Sequence, residues 1–353
     1  MSSQIEIAGR RVGAGQPVYV IAELSANHGQ HFDRAARLVD AARAAGADAI
    51  KLQTYTPDTM TIAADTEHFT VAGTIWHGRR LYDLYAEAST PWEWHGRLKE
   101  MAERAGLHCF STPFDDSAVE FLESLDVPAY KIASFELVDV GLIRRVARTG
   151  KPIIMSTGMA SFDEIEEAVA AARGAGARSL ALLKCTSAYP APPSEMHLQT
   201  IPHLSRAFDV PVGLSDHTLA LTVPVTAVSL GACIIEKHLT LSRSDPGPDS
   251  AFSLEPEEFR AMVDAVRTAQ AAMGEVHYGT TEREEATRAF RRSLFVVQPV
   301  RAGELFSAEN VRSIRPGAGL HPRHYDEIIG RRAARDIARG TPLAWDLIAG
   351  TST

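Results

Sequence analysis

The sequence predicts an α/β chain built on a (β/α)8 TIM barrel, followed by a small, mainly β domain. Three observations carry this. From about residue 18 to residue 272 one phrase repeats: a short apolar run ends in polar residues, and an Ala-, Glu- and Arg-rich stretch with helical spacing follows. Eight such units over about 250 residues are what a closed barrel needs. No G-x-G-x-x-G turn follows the first run, the mark an open doubly wound sheet more often carries. After residue 275 the chain changes to β-branched pieces broken by Gly and Pro, as in SLFVVQPVRAGELF and AARDIARGTPLAW.

Taken in order, the apolar runs are Val18–Ala22, Ala49–Leu52, Leu107–Phe110, Ala129–Ile132, Ile153–Met155, Leu180–Leu183, Val212–Leu214 and Ile234–Ile235. Segments with helical spacing fill the gaps, for example Asp33–Ala45, Phe162–Arg173 and Pro256–Ala272. A long stretch between Thr54 and Pro91 has no place in the repeat. Following the second strand, it would sit at the C-terminal mouth of a barrel and shape substrate access. The expected division is a barrel over 1–275, a linker over 276–290 and a small domain over 291–353. A domain of that size has little core of its own.

Composition narrows the function. The chain has 353 residues, 45% of them apolar and 23% charged, with a net charge of -8. That balance argues against a nucleic-acid or membrane-surface partner, so an anionic substrate would need locally placed cations. The opening MSSQIEIAGRRVG lacks the apolar core of a signal peptide, and no 18-residue apolar run is present. Cys109, Cys185 and Cys233 are widely spaced and sit in apolar surroundings, as reduced, buried thiols do. A cytoplasmic protein is expected; of the three thiols, Cys185 is the best placed for chemistry.

In a barrel the C-terminal strand ends converge on one site. Here they read Glu23; Lys51 and Gln53; Ser111 and Thr112; Lys131 and Ser134; Ser156 and Thr157; Lys184, Thr186, Ser187 and Tyr189; Ser215, Asp216 and His217; Glu236, Lys237 and His238. Burying so many polar groups unpaired would cost about 1–3 kcal/mol each, so the convergence points to a ligand. Lys51 and Lys131, with Lys184 and Lys237 as further candidates, suit a small anion carrying phosphate and carboxylate, and hydroxyls such as Ser156 would add hydrogen bonds. The bland alternative for any one lysine is an ion pair inside the barrel, such as Glu236 with its neighbour Lys237. His217 and His238 close adjacent strands and together suit one divalent cation with open positions, Mn²⁺ first, then Co²⁺ or Mg²⁺, rather than a closed zinc site. His31, His68, His77, His95, His277, His321 and His324 are expected in solvent. A Schiff-base aldolase with Lys131 as nucleophile and a non-catalytic sugar-binding protein are the rival classes.

The phrases IAELSANHGQ, AGADAIKLQTYTPDT, FSTPFD, YKIASFE, PIIMSTGM, GLSDHT, EKHLTL and GPDSAFSLEP, in this order and spacing, resemble the sialic acid synthase family. The segment IRPGAGL resembles its C-terminal SAF (antifreeze-like) domain. LYDLYAEASTPWEWH and LLKCTSAYPAPP resemble the branch whose acceptor carries a second acetamido group and a C6 methyl. The resemblance implies a transferase joining phosphoenolpyruvate to an acetamido-sugar. It implies His217 and His238 as metal ligands, and Lys51, Gln53, Thr112, Lys131, Ser134, Ser156, Ser187, Tyr189 and Ser215 around phosphoenolpyruvate and the metal. Glu23, Asp249 and His238 are implied at the chemistry, with Glu23 the leading acid–base group. Arg315 is implied to reach a partner subunit's site, hence a domain-swapped homodimer. Sialic acid synthases tend to have Asn where this chain has Ser187. A more apolar acceptor site would suit the extra methyl groups, with Trp76, Tyr82, Tyr85 and Trp92 as the aromatics available to build it.

Overall fold

The computed structural model describes residues 4–350. The chain divides into two compact units, Met1–Gly274 and Glu275–Thr353. The first opens with an antiparallel hairpin, β1 (Gln4–Ile7) and β2 (Arg10–Gly13). The buried side chains of Ile5, Ile7 and Val12 join the main core, and Arg10 pairs with Asp48 at 2.5 Å, just before the second barrel strand.

Eight parallel strands then close the barrel. They are β3 (Tyr19–Glu23), β4 (Ala49–Thr54), β5 (His108–Pro113), β6 (Tyr130–Ile132), β7 (Ile153–Ser156), β8 (Leu180–Cys185), β9 (Val212–Asp216) and β10 (Ile234–His238), with β10 returning to pair with β3. Every strand coincides with an apolar run of the sequence. The helices Phe32–Ala44, Phe162–Gly174 and Pro256–Met273 fall where helical spacing placed them. Local chemistry starts them: Ser161 and Glu164 form a capping box, and Asp115 caps the helix Asp116–Ser124 through the amides of Ser117 and Ala118.

Parallel strands in register point matching residues to the same side. Gly213 shows how tightly the interior is filled, since a Cβ there would strike the backbone oxygen of Ile234. At the lower end Tyr19 Oη and His108 Nδ1 lie 2.8 Å apart. Packed apolar layers and this pair fill the bottom of the barrel, leaving the C-terminal mouth for polar groups.

The segment between β4 and the helix Trp92–Arg104 holds short helices at Pro57–Met60 and Leu81–Ala88 and a bridge between Thr70 and Arg80. The second unit pairs β11 (Ser293–Val296) with β12 (Val311–Ile314) and adds isolated bridges such as Val300 with Ile337. Its core is separate, built on Leu294, Val296, Phe306, Val311, Ile328 and Leu343. Among the described residues no helix is long and apolar enough to cross a membrane.

Candidate active site

Strand register assembles the site. Glu23 lies beside Lys51 and His238, Gln53 beside Thr112, and Ser215 beside Cys185 and Glu236. These residues share the inward face of the mouth. Lys51 forms an ion pair with Glu23, lies 3.7 Å from Glu236 Oε1, and donates to Thr112 Oγ1 at 3.2 Å. Lys131 lies 3.5 Å from the same Glu236 oxygen, and Ser215 donates to it at 3.2 Å.

The network is electrically uneven. Burial opposes the charge on Lys51, but Glu23 and Glu236 outweigh it and hold the ammonium above its ordinary range. Burial draws Lys131 down despite Glu236. Burial works against ionisation of Glu236, yet Lys131 and Lys51 prevail and keep it a carboxylate. Glu23 moves the other way, raised by burial more than Lys51 lowers it. Of the two carboxyls, Glu23 is the one that holds a proton near neutral pH.

Around these charges sits a hydroxyl cradle. The amide of Gly158 donates to Ser134 Oγ at 3.1 Å, and a Cβ at Gly158 would collide with the hydroxyls of Ser134 and Ser187. Ser156 Oγ is buried with no hydrogen-bond partner among the described residues, as are Glu236 Oε2, Glu136 Oε2 and His238 Nδ1. Unsatisfied buried atoms are costly, and four at one mouth mark where a ligand completes the set.

The imidazoles of His217 and His238 have ring centres 5.4 Å apart. The carbonyl of Thr186 lies 2.9 Å from His217 Nδ1, which favours a proton on that nitrogen and, in the neutral ring, leaves a lone pair on Nε2. Burial keeps His238 neutral, far below the ordinary imidazole range. Burial also opposes a charge on His217, but the adjacent Cys185 sulfur outweighs it. Tyr189 and Phe252 pack on the rings, at 4.4 Å from His217 and 5.0 Å from His238. Among the described residues no group of three or more His, Cys, Asp and Glu side chains forms a closed metal cage. Two nitrogen donors, one of them with a buried and unpartnered atom, fit a divalent cation that keeps open positions for substrate.

Beside this centre opens a cavity of about 420 Å³. Ser25, Gln53, His238 and Asp249 line one part; Met60, Val71, Leu81, Leu84 and Ala88, from the long segment after β4, line another. Trp76 joins the two parts, donating from Nε1 to the Pro248 carbonyl at 2.9 Å and packing on Tyr189 at 5.6 Å. Glu136 also lines the cavity, and burial raises its carboxyl to about 7.

Several expectations need correction. Lys237 takes no part in the mouth: it faces outward, 2.7 Å from Asp216, and does not pair with Glu236. Strand alternation puts Glu236 and Lys237 on opposite faces. Lys184 also lies off the inward set, donating to the Cys185 carbonyl at 2.7 Å. Ser111 joins Thr54 and His95 in a buried network behind the strands, so His95 is not solvated. Of the four aromatics, Trp76 and Tyr85 line the cavity. Trp92 instead stacks on Phe121, and Tyr82 is bonded to Asp58. Arg315 lies exposed in the second unit, just after β12. Ser25 and Glu136 carried no signal in the sequence; Glu236 was placed at a strand end but read as the possible partner of Lys237, although it shares the parity of His238.

The NeuB family pattern matches residues 38–278, and the SAF domain pattern matches residues 291–349. The chain is 47% identical to the pseudaminic acid synthase of Campylobacter jejuni (serotype O:23/36, strain 81-176) over 92% of its own length and 95% of that protein's. It is 44% identical to the pseudaminic acid synthase of Helicobacter pylori, covering 94% and 98% of the two chains. Among solved structures, the spore coat polysaccharide biosynthesis protein SpsE of Bacillus subtilis superposes with a TM-score of 0.68 at 34% identity, covering 99% of this chain and 100% of that one. Likeness of this extent makes the chain a member of the NeuB family.

Proposed function

We propose that the chain is a pseudaminic acid synthase, condensing phosphoenolpyruvate with 2,4-diacetamido-2,4,6-trideoxy-L-altrose and water to give pseudaminic acid and phosphate. The observation that carries this is the inward cluster of Lys51, Lys131, His217 and His238 with unpartnered buried atoms beside them, opening on a partly apolar cavity. The two pseudaminic acid synthases at 44% and 47% identity support the choice of acceptor.

Lys51 and Lys131 hold the phosphate and carboxylate of phosphoenolpyruvate, with Ser134, Ser156, Ser187, Ser215, Thr112 and Gln53 supplying hydrogen bonds. This aligns the enol carbon with the acceptor's aldehyde carbon. His217 and His238 would hold a divalent cation, Mn²⁺ by preference, which when bound would supply Lewis-acid polarisation of the aldehyde oxygen. The enol carbon forms the new C–C bond, and Glu23, the carboxyl that keeps its proton near neutrality, delivers that proton to the aldehyde oxygen. Water adds to the cationic C2, giving its proton to Asp249 or Glu23. The C2–O bond to the phosphate then breaks as the new C2 hydroxyl becomes the ketone, its proton leaving with inorganic phosphate. Tyr189 shields the reacting carbons from bulk water.

The acceptor's C6 methyl and second acetamido group fit the apolar lining provided by Met60, Val71, Leu81 and Leu84, where a hydroxyl would lose its water without a partner. Arg315 acts in trans within a domain-swapped homodimer. A cytoplasmic setting suits the substrate and the three free, buried thiols.

The test follows phosphate release and product mass from phosphoenolpyruvate with each candidate acceptor. Release with the diacetamido-trideoxy sugar, abolished by EDTA and restored by Mn²⁺, is expected. Higher kcat/KM with N-acetylmannosamine or the legionaminic precursor would move the assignment to another acceptor. A borohydride-trapped adduct at Lys131 without phosphate release would replace it with an aldolase.

A further inference from the structure

Six of the seven non-glycine residues with a positive φ among the described residues, Ala8 and Asp209 among them, are exposed. The seventh is Ser25, with φ 44° and 2% exposure. Glycine takes this conformation freely, whereas an L side chain there is strained. A buried serine kept where glycine would be easier suggests a use for its hydroxyl.

The contacts of Ser25 show what that use is. The chain leaves β3 at Glu23 and turns at once into the short helix Ser25–His28. The left-handed turn aims the Ser25 amide back at Glu23 Oε1, 2.9 Å away. The Ser25 hydroxyl donates to Asp249 Oδ2 and accepts from Gln53 Nε2 at 3.2 Å. Gln53 Nε2 also lies 3.4 Å from Glu23 Oε1, closing the set, and the Ala26 amide reaches Asp249 Oδ2 at 3.3 Å. Asn27 fixes the turn from behind, donating to the Leu239 carbonyl and to Ser253 Oγ at 2.9 Å each. Among the described residues Ser25 alone bonds both carboxyl groups, one on β3 and the other on the loop after β10.

We propose that Ser25 is a positioning residue for the acid–base pair: its amide fixes Glu23, its hydroxyl fixes Asp249, and the strained backbone is retained for that double hold. This rests on the reading above of Glu23 and Asp249 as acid–base groups on the acceptor side. Without the hydroxyl, Asp249 is left with the longer contact to the Ala26 amide, while Gln53 keeps its contact to Glu23 Oε1. Proton transfer then starts from a wider spread of geometries, while the lysine and serine contacts to phosphoenolpyruvate are untouched.

Ser25→Gly and Ser25→Ala separate this role from a structural one. Glycine removes the hydroxyl and the strain together; alanine removes the hydroxyl and keeps the strain. Both variants should lose about 10- to 100-fold in kcat at saturating acceptor, with the KM for phosphoenolpyruvate within about twofold of wild type. Ser25→Gly should melt at the same temperature as wild type or higher, and Ser25→Ala lower than Ser25→Gly. A variant more stable yet slower is not what a purely structural serine would give. Ser25→Gly with kcat within about twofold of an active wild type would overturn the proposal alone. A wild-type protein that releases no phosphate with any acetamido-sugar would overturn the functional reading and this proposal with it.

Discussion

Two buried lysine–carboxylate clusters lie on opposite faces of the same barrel wall. Glu236 and Lys237 are consecutive on β10, yet Glu236 faces inward to Lys51 and Lys131, while Lys237 faces outward to Asp216. The outward pair is closed: Lys237 meets Asp216 at 2.7 Å and also donates to the Thr218 carbonyl, and Asp216 accepts from the Thr218 amide at 2.9 Å. The inward cluster is open, with Glu236 Oε2 lacking a hydrogen-bond partner among the described residues, as does Ser156 Oγ at the end of β7. A closed buried pair holds structure together, and an open one awaits a ligand.

The largest effect expected is on the open side. Lys131→Met should lower kcat/KM for phosphoenolpyruvate about a thousandfold, roughly 4 kcal/mol, because a buried anion loses a charged partner. Its fold should survive, since Lys51 still lies 3.7 Å from Glu236. Steady-state kinetics beside a melting curve would show both. Lys237→Met should do the reverse, costing about 3–5 kcal/mol of stability by stranding Asp216, with the specific activity of the folded fraction unchanged. Equal losses of activity in the two variants would erase the distinction between the faces.

This contrast also marks how far the sequence could be read. The eight apolar runs located the strands, because a buried parallel strand leaves a continuous apolar signature. The strand ends located the mouth, because polar residues there break that signature. Which polar residues face inward depends on alternation within each strand: the parity of His238 includes Glu236 and excludes Lys237, so this much was legible from period two. His95 was legible too, sharing a buried helix face with Leu98 and Ala102. Ser25 and Glu136 were not. They sit in short turns without periodicity, and neither a left-handed serine nor an unpartnered carboxyl leaves a trace in composition. The segment after β4 has the same difficulty, which is why Tyr82, and Trp92 just beyond the segment, fell outside the cavity.

Smaller effects sharpen the comparison within the cavity. Trp76→Ala removes the indole that ties the segment after β4 to Pro248 and Tyr189. The acceptor KM should rise about tenfold, the scale of one aromatic contact, with the KM for phosphoenolpyruvate nearly unchanged. A rise in both would mean the tryptophan supports the whole mouth and not the acceptor side alone.

The smallest effect is a pH dependence. Burial raises the Glu136 carboxyl from 4.5 to about 7, so the folded chain binds that proton more tightly than the unfolded one. The stability it contributes is complete below about 4.5 and is lost as the pH rises toward about 7. Glu136→Gln removes this dependence. Between pH 5 and pH 7 the wild type should lose about 1 kcal/mol more unfolding free energy than the variant, by denaturant titration. A variant that follows the wild type across this window would place the charge of Glu136 in solvent.

On the proposed function, the inward ends of β9 and β10 form one cation site within the anion cluster. Calorimetric titration of Mn²⁺ into the chelator-treated wild type, His217→Ala, His238→Ala and Lys237→Met tests it most directly. One site per chain is predicted for the wild type and Lys237→Met, and none of comparable affinity for either histidine variant. Undiminished binding in both histidine variants would place the cation elsewhere than on these two imidazoles.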